Sequence, residues 1–277
     1  MIEIPEALVI SKQLNTELSG KVIVGASAGM HPHKFTWYSG EPGEYNSKLT
    51  GRTVKKAYNH AARIFVELDN GMALVFGEGT RFALHHFGTK RPVKWQLLVD
   101  FENDLSLSVS IQMYGFILLE HKDGITNKYI VDSVEIPSPL DKDFDFEYFK
   151  QLYDKFQNTK MSTKEFLAAG QRIPGLGNGV LHDILFNARL HTKQKLRDYS
   201  ERDLDTLYNS IINTLQEMVD GGGRDTEKGL YGESGGYKTK MSKYTVGKAC
   251  PVCGHIIEKQ SYMGGSIYFC PGCQKVQ

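Results

Sequence analysis

Four cysteines near the end of the chain have the spacing of a metal site. Cys250 and Cys253 form one Cys-x-x-Cys pair, and Cys270 and Cys273 form a second pair after sixteen intervening residues. Four thiolates at this spacing can surround one tetrahedral ion, and they leave no open position for a substrate or a catalytic water. The pattern therefore predicts a structural Zn²⁺ site, with unmetallated thiols as the alternative.

A glycine-rich turn is the second pattern that could do chemistry. It runs from Pro174 to Gly179 as Pro-Gly-Leu-Gly-Asn-Gly, between two stretches of helical periodicity. Glycines let a backbone come close to a ligand, and the amides at the start of the next helix favour a phosphate. Gly175, Gly177 and Asn178 are therefore candidates to bind a phosphate, although the turn taken by itself favours the alternative, a plain glycine-rich connection between helices.

The elements that must position these groups change character along the chain. Apolar residues recur at helical spacing from Ala7 to Leu18, with Pro5 in the first turn, which predicts a leading helix. Residues 62–119 instead alternate between apolar and polar types, and the turn Asp69-Asn70-Gly71 separates two strands of a hairpin. The N-terminal half is therefore predicted to be β-rich.

The second half is predicted to be helical. Two prolines and an acidic run at residues 135–141 indicate a domain boundary, and capping boxes that begin at Ser162 and Ser200 precede apolar stripes of helical spacing. The sequence thus predicts an α+β protein with three parts. They are a leading helix and β domain at 1–135, a helical domain with a basic loop at 136–245, and the cysteine finger at 246–277.

The net charge of +1 hides an uneven distribution. Residues 221–277 contain eight Lys or Arg and four Asp or Glu, which gives about +4 there and about −3 for the rest. This asymmetry fits a polyanionic partner. Neither a signal peptide nor a run of about 18 apolar residues is present, so we expect a cytoplasmic protein without membrane contact.

The order of these features resembles the formamidopyrimidine-DNA glycosylase / endonuclease VIII family. The resemblance rests on the Pro-Gly-Leu-Gly-Asn turn between helices, the C-terminal finger and the start Met1-Ile-Glu-Ile-Pro-Glu6. It implies a β-sandwich preceded by a helix, then a helix–two-turn–helix domain with a zinc finger. Double-stranded, damaged DNA would lie in a cleft between the two parts, and the protein would be a nucleoid-associated monomer.

The resemblance also implies a reaction at the N-terminus. In the family, an N-terminal proline amine attacks the sugar C1′ of a flipped-out damaged nucleotide and forms a Schiff base, after which the backbone is cut. By the motif, Glu3 matches the glutamate that assists proton transfer, and Glu6 matches a second acidic residue. Ile2 stands at the nucleophile position, so the amine would belong to Met1, or a water would act instead.

Three positions depart from the family pattern. Besides Ile2, the family's hairpin lysine aligns with Ala62, and the finger arginine that holds a phosphate aligns with Gly265. These departures mark a divergent member and weaken the expectation of lyase activity. They also leave open an alternative function, a protein without catalysis that binds damaged or structured DNA. An RNA-binding or protein-interaction module is a third class.

Further DNA contacts follow from the same resemblance. Tyr114 is a candidate wedge for the space left by the flipped base, with an ordinary strand aromatic as the alternative. Residues 222–240 lie where the family keeps its lesion-recognition loop, and Arg224, Lys238 and Lys240 are candidates for phosphate or base contacts. The lesion itself is not predicted, because base choice depends on pocket shape.

Overall fold

A computed structural model describes residues 1–77, 79–86, 88–124 and 134–275. The chain opens with helix α1, Ile4–Leu18, as predicted, with Pro5 in its first turn. The backbone N–H of Glu3 donates to the Glu6 carboxylate at 3.1 Å, which satisfies a donor that precedes the first turn. Residues Ala7, Ile10, Leu14 and Leu18 are buried on one face of this helix.

Among the described residues that follow α1, nine strands form two sheets. They are β1 Ile23–Ala28, β2 Thr36–Tyr38, β3 Val54–His60, β4 Arg63–Leu68, β5 Met72–Phe76, β6 Thr80–His85, β7 Leu97–Phe101, β8 Leu105–Ile111 and β9 Gly115–His121. A short helix α2, Tyr45–Leu49, lies between β2 and β3. One sheet has the order β1-β7-β8-β6, and the other has the order β2-β9-β5-β4-β3.

A single apolar core joins the two sheets into the predicted β-sandwich. Leu107 and Val109 of β8 share this core with Val66 of β4 and Ile117 of β9, and Leu14 of α1 packs against the same cluster. The predicted hairpin is present, because β4 and β5 pair in antiparallel fashion around Asp69-Asn70-Gly71. Side chains that alternate along each strand therefore supply the inner face of the sandwich.

Four helices form the helical region. They are α3 Phe146–Asp154, α4 Thr163–Ala168, α5 Asn178–Ala188 and α6 Glu201–Asp220. The capping boxes predicted at Ser162 and Ser200 are both present, with the hydroxyl of each serine accepting the backbone N–H three residues later. These caps fix where α4 and α6 begin, because they satisfy amides that the helices leave without partners.

The last element is a hairpin of β10 Glu258–Tyr262 and β11 Gly265–Phe269. Met263 and Gly264 form its turn, and both have positive φ. The hairpin lies between the two cysteine pairs. The finger residue Tyr268 meets the ring of His182 from α5 edge-on, with ring centroids 5.4 Å apart.

The chain divides into two compact units. One comprises Met1–Val134 with Gly222–Gly236, and the other comprises Glu135–Gly221 with Tyr237–Gln277. The first part of the basic loop thus groups with the sandwich, whereas the sequence analysis assigned all of that loop to the helical domain. The partition into 1–135, 136–245 and 246–277 stays a prediction. Within the described residues, no helix is both long and apolar enough to cross a membrane.

Candidate active site and nucleic-acid interface

A buried cluster of charges lies at the start of the first unit. Glu3 and Glu6 are 5% and 3% exposed, and the side chain of Arg224 is 2% exposed beside them. Nε of Arg224 donates to Oε1 of Glu6 at 2.9 Å, and Nη2 donates to Oε2 at 2.7 Å. Nη1 of Arg224 lies 3.5 Å from Oε2 of Glu3. We call Glu3, Glu6 and Arg224 the N-terminal cluster.

The ionisation of this cluster follows from its geometry. Burial alone would raise the pKa of Glu6, but the Arg224 guanidinium outweighs it by charge and hydrogen bonding, so the pKa of Glu6 is lowered. Burial would lower the pKa of Arg224, and the two carboxylates overcome this and raise that pKa. Glu6 and Arg224 therefore form a charged pair inside the protein, and Glu3 adjoins it.

The backbone of the first unit brings Arg224 to this place. Gly222 and Gly223 both have positive φ, which side chains rarely tolerate, and they turn the chain directly after α6. A Cβ on Gly235 would meet the carbonyl oxygen of Gly223 at 2.1 Å, so the two ends of the segment touch. Glycines at these positions let residues 222–236 close against α1.

The predicted catalytic residues lie together, with one correction. The Met1 amine donates to Oε2 of Glu227 at 2.5 Å, and the Met1 carbonyl accepts Nη2 of Arg224 at 3.3 Å. Ile2 is 5% exposed and packs into the sandwich core, so its side chain contributes packing and no reacting group. Glu227 escaped the sequence analysis, because nothing in its local sequence links it to a residue so far away in the chain.

Arg224 needs a second correction. Arg224 is a predicted DNA contact, but its side chain is buried and its donors face Glu3, Glu6 and the Met1 carbonyl. A guanidinium held in this way is not offered to a phosphate outside. The basic residue is therefore part of the packing of the N-terminal cluster.

The turn between β8 and β9 presents exposed apolar side chains. Tyr114 is 47% exposed and Met113 is 61% exposed. Phe35, which is also 47% exposed, precedes β2 by one residue. Its carbonyl accepts the N–H of Gly115, the first residue of β9, at 3.0 Å. A Cβ on Gly79 would lie 1.6 Å from the backbone carbonyl oxygen of Tyr114, so only glycine fits behind this turn. Phe35 was missed because its parallel neighbour is distant in sequence.

In the second unit, the glycine turn and the finger hairpin meet. Asn178 is exposed as the first residue of α5, Gly177 caps that helix, and Gly175 has a φ of 78°. A methyl group on Gly265 would lie 3.6 Å from Nδ2 of Asn178 and 3.6 Å from Nζ of Lys164. The amide and the ammonium thus flank the position where the family pattern has an arginine. We call Lys164, Asn178 and Gly265 the turn–hairpin surface.

Lys164 is the member of this surface that the sequence analysis missed. It is only 5% exposed, and its Nζ donates to the Tyr262 carbonyl at 2.9 Å. Burial lowers the pKa of Lys164. Lys164 lies between Ser162 and Glu165 of the capping box. That motif predicts where the helix begins, but it does not predict a ligand contact.

The two predicted lysines of the basic loop occupy different environments. Lys238 is exposed, and Nζ of Lys240 donates to Oδ1 of Asn187 at 2.8 Å. Asp183 of α5 is fully buried and accepts the backbone N–H groups of Lys240 and Met241 at 2.9 and 2.7 Å. Burial, although partly offset by these hydrogen bonds, raises the pKa of Asp183 to about 6.

The four cysteine sulfurs come together as the sequence predicts for a metal site. All lie within 4.8 Å of one another, with Cys250 and Cys273 3.8 Å apart and Cys253 and Cys270 3.3 Å apart. Tetrahedral zinc with bonds of about 2.3 Å separates its sulfurs by about 3.8 Å. The four thiols therefore suit a single metal ion.

Comparison with known proteins gives the family of the chain. A model of the formamidopyrimidine-DNA glycosylase N-terminal domain matches residues 1–129, and a model of the H2TH domain of the same glycosylase matches residues 136–228. The chain belongs to the formamidopyrimidine-DNA glycosylase / endonuclease VIII family. The two matches follow the predicted order of a β domain and then a helical domain that contains the glycine turn.

Named relatives of this glycosylase family are similar over the full chain. A formamidopyrimidine-DNA glycosylase of Chloroflexus aurantiacus is 27% identical over 99% of this chain and 98% of its own. One from Lactococcus lactis subsp. cremoris is 22% identical over 99% and 100%. A solved complex of Lactococcus lactis Fpg with DNA containing an abasic site matches with a TM-score of 0.85 and 22% identity, covering 99% of each chain. This structural likeness concerns the glycosylase fold.

Proposed function

We propose that this protein is a DNA repair glycosylase that binds double-stranded DNA and excises a damaged base from a flipped-out nucleotide. The observation that carries the proposal is the N-terminal cluster, in which two carboxylates and a guanidinium lie together and the guanidinium donates to the Met1 carbonyl. Membership of the glycosylase family supports it. So do relatives named formamidopyrimidine-DNA glycosylase and a related Fpg solved with DNA that contains an abasic site.

Glu3 is the group that we assign to proton transfer. In hydrolysis, the bond between C1′ and the base nitrogen breaks as a bond from C1′ to a water oxygen forms, and the base leaves with the bonding electrons and takes up a proton. Glu3 accepts the proton that the water loses. Arg224 and Glu6 act as positioning residues, because their pairing fixes the guanidinium against which Glu3 rests.

The Met1 amine is the alternative nucleophile. An amine at this position would displace the base from C1′ and then form an imine, provided that it has lost its proton. Glu227 holds the amine at 2.5 Å and is placed to accept that proton. Hydrolysis by water releases the base and leaves the backbone intact, whereas the imine route continues to backbone cleavage. We favour water, since Ile2 shifts the amine by one residue from the family position.

The proposed DNA contacts come from both units. In the helical unit, Asn178 and Lys164 would hold a backbone phosphate, with the Gly175 and Gly177 turn supplying close backbone approach. Lys164 would thereby supply the cation that the family has as an arginine at the position of Gly265. Lys238 and Lys240 would add sequence-independent attraction.

The aromatic side chains of the sandwich unit have a separate role in this proposal. Tyr114 would stack on a base that has lost its partner, and Phe35 would extend the stacking surface. A base–aromatic stack needs an exposed ring on a rigid support, and Gly79 provides that support by its contact with the Tyr114 carbonyl.

The cofactor in this proposal is one structural Zn²⁺, held by Cys250, Cys253, Cys270 and Cys273. The ion would fix the finger hairpin and so keep Gly265 beside Asn178. We further propose that the protein acts as a cytoplasmic, nucleoid-associated monomer. Base-release assays on duplexes with different lesions would define which damaged bases the protein excises.

The test is base release from a duplex that carries one formamidopyrimidine lesion. We expect wild-type protein to release the base and E3Q to release it at least about 100-fold more slowly, as for loss of general acid–base assistance. E102Q changes an exposed glutamate of the same unit and serves as the control. Release by wild type no faster than without protein, on this duplex and on duplexes with oxidised pyrimidines, would refute the proposed activity.

Borohydride trapping separates the two nucleophiles. On a duplex with an abasic site, reduction of an imine leaves a covalent protein–DNA adduct, whereas hydrolysis by water leaves none. We expect base release without an adduct. An adduct that is lost when the Met1 amine is acetylated would assign the chemistry to that amine instead.

A further inference from the structure

A cavity of about 520 Å³ lies on the outer face of the β1-β7-β8-β6 sheet, in the first unit. Its floor is formed by strands β6 and β8, and residues 90–93 form its rim. None of the residues assigned above to catalysis or DNA contact lines it. The volume falls in the range of roughly 300–1,000 Å³ typical of pockets for small ligands.

The floor contains Ser108 and Ser110, two of the serines that alternate along β8. In the β6–β8 pairing, Arg81 lies opposite Ser110, Ala83 opposite Ser108 and His85 opposite Ser106. An outward row of serines on a one-sided strand normally faces water. Here Ser106 and Ser108 are only 1% and 4% exposed, so the outer face of this sheet is covered.

Arg91 anchors the rim to the sheet. Its Nη2 donates to Oγ of Ser106 at 2.6 Å and lies 3.1 Å from Oδ1 of Asp100, and the Ser106 hydroxyl donates to the same Asp100 oxygen at 2.6 Å. Nε2 of His85 lies 2.7 Å from Oγ of Ser108. These contacts hold the rim and the floor in one arrangement, so the cavity is built by specific polar pairs.

The charge of the lining is one-sided. Arg81, Lys90 and Arg91 line the cavity, and the lining found among the described residues includes no carboxylate. Asp100 balances Arg91 at the rim, and Arg81 and Lys90 are the other two cations of the lining. Ser110 adds a hydroxyl, and Pro92 and Val93 add an apolar wall on which a flat ring can rest. Val93 is 76% exposed and is therefore accessible to a ligand in the cavity.

We propose that this cavity is a binding site for a nucleotide phosphate, with Arg81, Lys90 and Ser110 holding the phosphate and Val93 contacting the sugar or base. Guanidinium and ammonium groups give charge-assisted hydrogen bonds to phosphate oxygens. The proposal does not depend on the glycosylase activity. The phosphate can come from a free nucleotide or from a nucleotide within DNA, and the experiment separates these two sources.

The test uses deoxyadenosine monophosphate and the full-length protein in low salt, with binding followed by isothermal titration. We expect R81Q/K90Q to bind at least about tenfold more weakly than wild type, since it loses two charged contacts. K12Q/K55Q removes two exposed lysines elsewhere on the same unit and should bind like wild type. Deoxyadenosine without phosphate should bind to none of the three.

A second pair of variants tests the position of the ligand without a loss of cations. V93D places a negative charge on the rim and should abolish binding of the nucleotide, whereas V93N, which has the same shape without the charge, should retain it. Both change an exposed residue, so the fold should be unaffected. Equal binding by V93D and V93N, or no binding of the nucleotide to wild type, would overturn the proposal.

Competition with undamaged duplex DNA identifies the source of the phosphate. If the duplex leaves nucleotide binding unchanged, the site takes a free nucleotide. If the duplex displaces the nucleotide, and R81Q/K90Q also weakens duplex binding with a smaller salt dependence, the site takes a phosphate of DNA. Both results support the site. Base release by R81Q/K90Q is measured in a separate assay. Absence of glycosylase activity is thereby distinguished from absence of nucleotide binding at the cavity.

Discussion

Nη2 of Arg224 lies 2.7 Å from Oε2 of Glu6, and the side chains of the two residues are 2% and 4% exposed. Residues 218 positions apart in the chain thus form a charged pair inside the first unit. A buried pair of this kind contributes little compared with apolar packing, but removal of one partner leaves the other charge without compensation. Arg224 compensates two carboxylates, so its loss matters more than the loss of either acid.

We predict that R224M lowers the free energy of unfolding by about 3–5 kcal/mol, because it removes the guanidinium that pairs with the buried carboxylate of Glu6 and adjoins that of Glu3. The measurement is urea unfolding followed by tryptophan fluorescence. The chain has two tryptophans, Trp37 and Trp95, and both lie in the first unit, so the signal reports on that unit alone.

R52M is the control for R224M, since Arg52 is an exposed arginine of the same unit. Its effect should stay within about 0.5 kcal/mol. If R224M and R52M unfold at the same urea concentration, the ion pair does not hold the N-terminal cluster together.

For the stacking role of Tyr114, we predict that Y114A binds a duplex with an abasic site about tenfold more weakly, while its binding to intact duplex changes little. The reason is that stacking on an unpaired base contributes about 1–3 kcal/mol, and an intact duplex offers no such base. Y114F keeps the ring and should bind like wild type. Fluorescence anisotropy with both duplexes measures the difference.

Y244A is the matched control, because Tyr244 is also exposed, at 56%, and lies in the other unit. Equal losses for Y114A and Y244A, or an equal loss on intact and abasic duplexes, would contradict a specific stacking role.

Metal analysis should find one zinc per chain in wild-type protein and none in C270S, because Cys270 is a fully buried member of the four-sulfur set. We expect C270S to lose duplex binding, since without the ion the hairpin no longer keeps Gly265 beside Asn178. V252A, which alters an exposed residue between the cysteines, should keep both the zinc and the binding. Unchanged tryptophan fluorescence in C270S would show that the first unit stays folded, and duplex binding by metal-free C270S would exclude the structural role.

Asp183 should make stability depend on pH. Its pKa is raised from 3.8 to about 6 by burial, so it is protonated in both states below about pH 4 and ionised in both states above about pH 6. Between these values the unfolded chain releases the proton first, and stability is lost as the pH rises. Relative to D183N, wild type should lose roughly 3 kcal/mol across this window. Urea unfolding by circular dichroism measures it, and a difference that is constant with pH would contradict the assignment.

The local elements were predictable from the sequence. The capping boxes at Ser162 and Ser200, the hairpin at Asp69-Asn70-Gly71 and the four-cysteine set depend on residues a few positions apart or on fixed ligand spacing, and all appear as predicted. Each follows from a chemical requirement that short stretches of chain satisfy by themselves.

The missed features depend on distant residues. Arg224 appeared as a free cation in a basic loop, since its partners Glu3 and Glu6 lie at the other end of the chain. The alternation of Ser106 and Ser108 predicted a strand correctly, yet it gave no sign that residues 90–93 cover that face. Alternation of apolar and polar residues distinguishes the two faces of a strand, but it does not predict which segment packs against the polar face.

The division of the first unit along the chain bears on the order in which the protein is made. Residues 222–236 belong with the sandwich, but the ribosome adds them only after the whole stretch Glu135–Gly221 has been synthesised. Until then, the Arg224 guanidinium that pairs with Glu6 and adjoins Glu3 has not been made. The sandwich therefore reaches its final form late in translation, and a fragment that stops at Val134 contains Glu6 without the guanidinium that pairs with it in the whole chain.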